Sequence, residues 1–120
     1  MKAARLTSPK HFEILETETP TAQDGQCLIK LERGSVCGSD IRHGFQVNPE
    51  EMYPMDFGTP CHELAGVVVE SRTDAFQEGQ RAIVIPQRGT GGLAEYIVSD
   101  PSRMILLPDQ GPLDEWVMCQ

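Results

Sequence analysis

The sequence predicts a mainly β protein, a mostly antiparallel β-barrel or sandwich with short helical turns and the start of a helix near its C-terminus. Eleven glycines and nine prolines in 120 residues are typical of many turns between short strands. Apolar and polar residues alternate with a period of two in several segments, which indicates strands. With 39% hydrophobic and 23% charged residues, the chain fits one globular domain with a real core.

The first half of the chain contains three predicted strands. Two short strands are predicted on either side of the turn at residues 8–10. After a turn at residues 23–25, Cys27, Ile29 and Leu31 alternate with their neighbours, which predicts a half-buried strand running toward Val36. Cys37 is therefore expected at a strand end.

The segment after Cys37 predicts a single helical turn over residues 39–43, ended by Gly44, and then an irregular surface loop through Pro54. Residues 64–70 predict the strongest strand, and their three consecutive valines imply burial on both faces. Further strands are predicted over residues 81–86, 93–98 and 103–106.

Residues 89–92 contain three glycines between two of these predicted strands. Because they join strands and do not open a helix, they predict a hairpin turn, not a phosphate-binding loop. Near the end of the chain, Pro112 is expected at the first position of a helix whose apolar face begins at residues 116–118. That helix has no C-terminal cap before residue 120, so we expect a neighbouring domain after it.

Charge and hydropathy exclude several classes of partner. The formal net charge is −8, and only ten basic residues are scattered along the chain, which argues against nucleic acid and anionic membranes and favours small neutral partners. The sequence has neither the apolar run of a signal peptide nor one long enough to span a bilayer. We therefore expect a cytoplasmic protein with its four cysteines reduced.

Cys37 and His62 are the candidate metal ligands. A zinc ion held by a thiolate, an imidazole and one further protein group keeps a position for water or substrate, whereas structural zinc takes four dedicated ligands. Cys37 at the start of a helical turn would gain from the helix dipole, which favours the thiolate. The alternative is a buried structural cysteine and a core histidine bonded to the backbone.

Five motifs occur along the chain in a fixed order. They are Val36-Cys37-Gly38-Ser39-Asp40, His62-Glu63 followed by Gly66, Gly79-Gln80-Arg81, Gly92-Leu93-Ala94-Glu95-Tyr96, and Leu107-Pro108-Asp109. In this order they resemble the catalytic domain of zinc-dependent medium-chain dehydrogenases/reductases, the alcohol and polyol dehydrogenases. The resemblance implies a GroES-like, partly open β-barrel over residues 1–120, and a Rossmann NAD(P)-binding domain after residue 120.

The resemblance also implies roles for individual residues. Cys37 and His62 would be zinc ligands, and Ser39 would hydrogen-bond the alcohol oxygen and carry its proton. Asp40 would orient the imidazole of His62, and Glu63 would be an acidic residue near the metal, in some relatives an alternate ligand. The alternatives are a helix cap for Ser39, a turn-stabilising role for Asp40 and an exposed strand position for Glu63.

His43 is a second candidate catalytic residue. In many relatives the relay histidine falls five residues after the cysteine, where this chain has Arg42. His43 is four residues from Ser39, on the same helical face, so a proton path between the two is sterically feasible. The alternative is a solvated surface histidine.

Three further departures from the family pattern concern the metal. Cys61 stands where a glycine usually precedes the histidine, and on a strand it would point away from His62 as a packed thiol. The four-cysteine lobe of a structural zinc is absent, so one catalytic zinc is implied. The late ligand should fall at or near Gln120, whereas Cys119, the better zinc ligand, is expected as a buried helix residue.

The function implied is oxidation of a small-molecule alcohol or polyol to a ketone or aldehyde by hydride transfer to NAD or NADP, which the missing domain would bind. The chain alone is then expected to be inactive. The alternative is a stand-alone GroES-like metal-binding or interaction module; a zinc-free reductase should lack Cys37 and His62. Residues 44–58 are expected to contribute substrate specificity, and a homo-oligomer is compatible with the sequence.

Overall fold

The fold consists of two antiparallel sheets with short helices. The computed structural model describes residues 1–45, 48–87 and 89–119, without the side chains of residues 43–45. The strands are β1 (Lys2–Ser8), β2 (His11–Glu16), β3 (Cys27–Ser35), β4 (Glu63–Ser71), β5 (Arg81–Val84), β6 (Tyr96–Ser99) and β7 (Met104–Leu106), and the α-helices are α1 (Gly38–Phe45) and α2 (Leu113–Trp116). Two 3₁₀ turns cover Glu50–Met52 and Pro101–Arg103.

The two sheets are a β1–β2 hairpin and a five-stranded sheet in the order β6-β3-β4-β5-β7. Backbone hydrogen bonds connect them: Ala4 N–H donates to Leu93 O at 2.7 Å, and Glu95 N–H donates to Lys2 O at 3.1 Å. An isolated bridge pairs Ala3 with Ala94. The hairpin thus joins the β6 side of the larger sheet, and the predicted mainly β, partly open fold is confirmed.

The core follows the period-two pattern of the strands. Cys27 and Ile29 of β3 are fully buried, as are Leu64 and Ala82 on neighbouring strands. A second, smaller apolar cluster lies under α2 and is formed by Ala65, Ile83, Leu107, Leu113 and Val117, with Trp116 partly buried against it. Among the described residues, no helix is long and apolar enough to cross a membrane.

The prediction of a hairpin at residues 89–92 is wrong. β5 and β6 lie on opposite sides of the β3–β4 pair, so the segment between them crosses over and does not turn back. Its glycines allow close backbone packing: a Cβ on Gly91 would lie 2.3 Å from Gly58 O, and a Cβ on Gly92 would lie 1.8 Å from a Leu64 methyl carbon. The crossing therefore requires glycine for space.

Several predicted boundaries also differ. The helix that begins after Cys37 does not end at Gly44 but includes it and runs to Phe45, so α1 has two turns. The strand predicted over residues 93–98 is β6, Tyr96–Ser99. Residues 93–95 instead pair with β1, through the Ala3–Ala94 bridge and the backbone hydrogen bonds on either side of it.

Two expectations about burial and capping are corrected. Of the three valines in β4 only Val68 is buried, and Val69 is 38% exposed, because no described element covers the second face of β4 there. Pro112 has φ −77° and ψ 99°, so it precedes the helix as its N-cap and does not occupy the first helical position.

Candidate metal centre

The candidate metal centre lies where β3 ends and β4 begins. These strands are antiparallel, with Ser35 opposite Glu63. Cys37 follows Ser35 by two residues and His62 directly precedes Glu63, so the pairing brings the two side chains to the same end of the sheet. The register that the buried residues of both strands impose therefore assembles this pair.

The distance between the two candidate ligand atoms fits a shared zinc ion. Cys37 Sγ lies 3.5 Å from His62 Nε2. Zinc–sulfur and zinc–nitrogen bonds of about 2.3 Å and 2.05 Å at a tetrahedral angle place sulfur and nitrogen about 3.6 Å apart. This separation of the thiol and the imidazole is therefore the one that a shared tetrahedral ion requires.

Asp40 sets the orientation of the imidazole. Its Oδ1 lies 2.7 Å from His62 Nδ1, and its Oδ2 accepts a hydrogen bond from Cys37 N–H at 3.0 Å. The Asp40 side chain is only 3% exposed, whereas that of His62 is 42% exposed, so the carboxylate is buried while the imidazole is partly open to solvent. A carboxylate can only accept here, so Nδ1 carries the proton, and in the neutral imidazole this leaves the Nε2 lone pair available to a metal.

Cys37, Asp40 and His62 form one group whose ligand atoms all lie within 4.8 Å of one another. Both carboxylate oxygens of Asp40 already contact an N–H group of Cys37 or His62, which favours its predicted role of orienting the imidazole over direct binding of the metal. Thiolate and imidazole are the donors that zinc prefers. The donor set thus fits the metal that the resemblance implies.

Ser39 lies next to the thiol of this group. Its Oγ is 2.7 Å from Cys37 Sγ, and its side chain is partly exposed. The first turn of α1 holds it there, because Ile41 N–H donates to Cys37 O at 3.3 Å. A hydroxyl this close to the thiol can donate to a thiolate or to an oxygen bound beside it.

The structure describes the remaining candidate residues only in part. Glu63, partly buried at the start of β4, does not belong to the candidate ligand group. The backbone of His43 lies in α1, but its side chain is outside the described residues, as is Gln120. Cys119 is exposed, not buried as expected, and its thiol donates to Glu115 O at 3.7 Å.

Cys61 is a packed thiol, as the sequence predicts. It is 3% exposed, and its Sγ donates to Ser35 O at 3.4 Å. Burial, reinforced by the nearby acidic groups Asp40 and Glu63, raises the pKa of this thiol to about 11. It therefore stays protonated at neutral pH, which makes it a poor ligand and a poor nucleophile.

The sequence did not predict the contact between the C-terminal segment (residues 107–119) and the part of β3 that leads to this site. Ser35 Oγ donates to Met118 Sδ at 3.0 Å, and Arg33 forms an ion pair with Asp114. Both contacts lie along the last part of β3, just before Cys37. No local pattern predicts them, because the partners are more than 80 residues apart in sequence.

Comparison with known proteins places the chain in a family. The model of the alcohol dehydrogenase GroES-like domain matches residues 23–109. The match covers most of the chain, including Cys37, Asp40 and His62. The chain therefore belongs to the alcohol dehydrogenase GroES-like domain family.

Individual relatives agree with this assignment. An uncharacterized zinc-type alcohol dehydrogenase-like protein of Haemophilus influenzae is 36% identical over 89 residues, which are 72% of this chain and 25% of that protein. Of the solved structures, 2R,3R-butanediol dehydrogenase from Bacillus subtilis is similar with a TM-score of 0.71 and 26% identity, over 90% of this chain and 40% of that one.

Galactitol-1-phosphate dehydrogenase from Escherichia coli shares the fold, with a TM-score of 0.81 and 20% identity over 98% of this chain and 41% of that one. The chain thus spans about a quarter of the length of the Haemophilus influenzae relative and about two fifths of the two solved structures.

Proposed function

We propose that this chain is the zinc-binding, substrate-side part of a zinc-dependent, NAD(P)-linked dehydrogenase that oxidises an alcohol or polyol to a ketone or aldehyde. The observation that carries the proposal is the 3.5 Å separation of Cys37 Sγ and His62 Nε2, with Nδ1 held by Asp40. Family membership and the zinc-type dehydrogenase names of relatives support it.

In this proposal Cys37 and His62 hold one catalytic zinc ion. When bound there, zinc supplies Lewis acidity, which lowers the pKa of an alcohol. Asp40 keeps the imidazole in the tautomer that can bind metal. Glu63 is proposed to be an acidic residue near the metal, as the family resemblance implies.

Ser39 is proposed to accept the proton of the alcohol. Its Oγ, 2.7 Å from Cys37 Sγ, is close to any oxygen bound next to the thiolate, and its partial exposure gives the proton a way to solvent. His43, four residues further along α1, is the predicted next group on that path. Proton transfer through a positioned hydroxyl is general base catalysis, typically worth about 10²–10⁴ in rate.

The nicotinamide nucleotide is proposed to bind to a Rossmann domain outside this chain. The glycines at residues 89–92 cross between two strands and do not precede a helix, which makes them unsuitable as a dinucleotide loop. The small fraction of the relatives that this chain covers leaves ample length for such a domain.

The test uses the full-length protein, its zinc content and its NAD(P)H production from secondary alcohols and polyols. Ser39→Ala should lower kcat about 100-fold without loss of zinc, because it removes a proton acceptor and not a ligand. Ser102→Ala is the matched control, since Ser102 is an exposed serine on a 3₁₀ turn.

Two results would contradict the proposal. One is a wild-type protein that binds no zinc or produces no NAD(P)H with any alcohol. The other is a Ser39→Ala variant that produces NAD(P)H as fast as the Ser102→Ala control.

A further inference from the structure

Arg81 attaches the C-terminal segment to the sheet. Its guanidinium donates to Asp109 O at 3.3 Å and, through both terminal nitrogens, to Gly111 O at 3.2 Å. Its Cζ also lies 5.3 Å from the centre of the Trp116 ring. One side chain at the start of β5 thus contacts the residues before α2 and the last residue of α2.

The conformation of Gly111 fits this arrangement. Gly111 has φ +130°, which side-chain-bearing residues rarely adopt, and a Cβ there would lie 2.4 Å from ring atoms of Trp116. The glycine therefore lets the chain turn tightly enough for the Trp116 ring and the Gly111 carbonyl to meet the same guanidinium. The planar guanidinium suits both contacts, because it donates several hydrogen bonds and stacks on aromatic rings.

The docked segment reaches the end of β3 that leads to the metal centre. Beyond Trp116, Val117 is buried and the Met118 sulfur accepts a hydrogen bond from Ser35 Oγ at 3.0 Å. Ser35 is two residues before Cys37. A continuous set of contacts therefore runs from Arg81 through α2 to the end of β3 that carries the candidate zinc-binding thiol.

We infer that Arg81 is a positioning residue for the metal centre: by fixing the C-terminal segment, it holds the end of β3 and limits the movement of Cys37 away from His62. This inference rests on the proposed function, because it takes Cys37 as a zinc ligand. Arg81 was part of the Gly79-Gln80-Arg81 motif, to which the sequence reasoning gave no role.

The experiment measures zinc transfer from the full-length protein to a chromogenic chelator, together with hydrogen exchange of the amides in the C-terminal segment. Arg81→Met keeps the aliphatic stem but removes every donor. It should increase the exchange of Val117 and Cys119, whose N–H groups donate to Leu113 O and Trp116 O at 3.0 Å. Zinc release should become about tenfold faster, the scale expected for loss of a charge-assisted hydrogen-bonding group.

Arg103→Met is the matched control. Arg103 also donates to two backbone carbonyls, Ile85 O at 3.2 Å and Pro86 O at 2.8 Å, but at the other end of the β5–β7 pair and without contact to the C-terminal segment. Its loss should lower thermal stability as much as that of Arg81 while leaving zinc release within about twofold of wild type.

A second variant keeps the test informative if Arg81→Met does not fold. Trp116→Leu removes the stacked ring and keeps the helix, and it should accelerate zinc release in the same direction. The inference is overturned if both Arg81→Met and Trp116→Leu release zinc at the wild-type rate, or if Arg103→Met accelerates release equally. A wild-type protein that binds no zinc would instead overturn the proposed function, and this inference with it.

Discussion

Replacing Asp40 by asparagine tests how the imidazole is oriented. The carboxylate accepts from Cys37 N–H at 3.0 Å and contacts His62 Nδ1 at 2.7 Å, in a site where it is 4% exposed. Asparagine has the same shape but presents one acceptor and one donor. One of the two protein N–H groups must therefore lose its acceptor, or His62 must change its tautomer.

The metal-free Asp40→Asn protein can keep both hydrogen bonds of residue 40. If the asparagine oxygen faces Cys37 N–H, its NH₂ can donate to an unprotonated His62 Nδ1, and the proton moves to Nε2. The protein then loses only the charge-assisted part of these bonds, about 1–2 kcal/mol of unfolding free energy. Zinc binding at Nε2 must reverse this tautomer and leave a buried donor without an acceptor. We therefore expect zinc affinity to fall about 10–100-fold.

The assay is a competition titration with a chelator of known zinc affinity, alongside chemical unfolding of the metal-free proteins. Asp100→Asn is the control, because Asp100 also accepts two side-chain hydrogen bonds, from Gln26 and Gln87, but neither partner is a candidate ligand. Zinc affinity in that variant should stay within about twofold of wild type. A folded Asp40→Asn protein that binds zinc as tightly as wild type would refute the reasoning.

Three other predictions follow from particular contacts. Gly91→Ala should lower the unfolding free energy by about 2–4 kcal/mol in urea titrations, because its Cβ would lie 2.3 Å from Gly58 O. Gly38→Ala, with nothing within 4 Å of its Cβ at the start of α1, should leave the unfolding free energy unchanged or raise it by up to about 1 kcal/mol, and an equal loss in both variants would contradict the packing. Burial raises the pKa of the Cys61 thiol from 9.0 to about 11, so the folded state keeps this proton to higher pH than the unfolded state does. Its contribution to the unfolding free energy is therefore full below pH 9 and is lost as pH rises toward 11. Cys61→Ala should flatten the plot of unfolding free energy against pH in this range, and an unchanged slope would contradict the raised pKa. Chelating zinc should lower Tm in wild-type protein but not in Cys37→Ser, because the ion binds only the folded state; a shift in both would point to another metal site.

Local sequence patterns were sufficient to predict the strand that leads to Cys37. The alternation at Cys27 and Ile29 and the turn at residues 8–10 each depend on neighbours in sequence, and the strands that follow from them are present as β1, β2 and β3. The position of Cys37 at a strand end follows from the same pattern. The sequence alone therefore predicts Cys37 as a candidate ligand, without knowledge of the distance between Cys37 Sγ and His62 Nε2.

Contacts between residues far apart in sequence determine the features that local patterns did not predict. Residues 89–92 have the composition of a hairpin, but their glycines serve a close crossing against Gly58, a partner remote in sequence. Val69 looks like a core residue, yet no described element covers it. Likewise, the approach of Met118 to Ser35 depends on how α2 packs on the sheet, which no periodicity within residues 112–119 indicates.

X-ray absorption spectroscopy of the zinc-loaded protein tests the central claim most directly, since it counts the atoms bound to the ion. The account predicts one sulfur at about 2.3 Å with nitrogen or oxygen ligands at about 2.0–2.1 Å, and loss of the sulfur shell in Cys37→Ser but not in Cys119→Ser. A zinc ion with no sulfur neighbour, or one whose sulfur persists in Cys37→Ser, would contradict it.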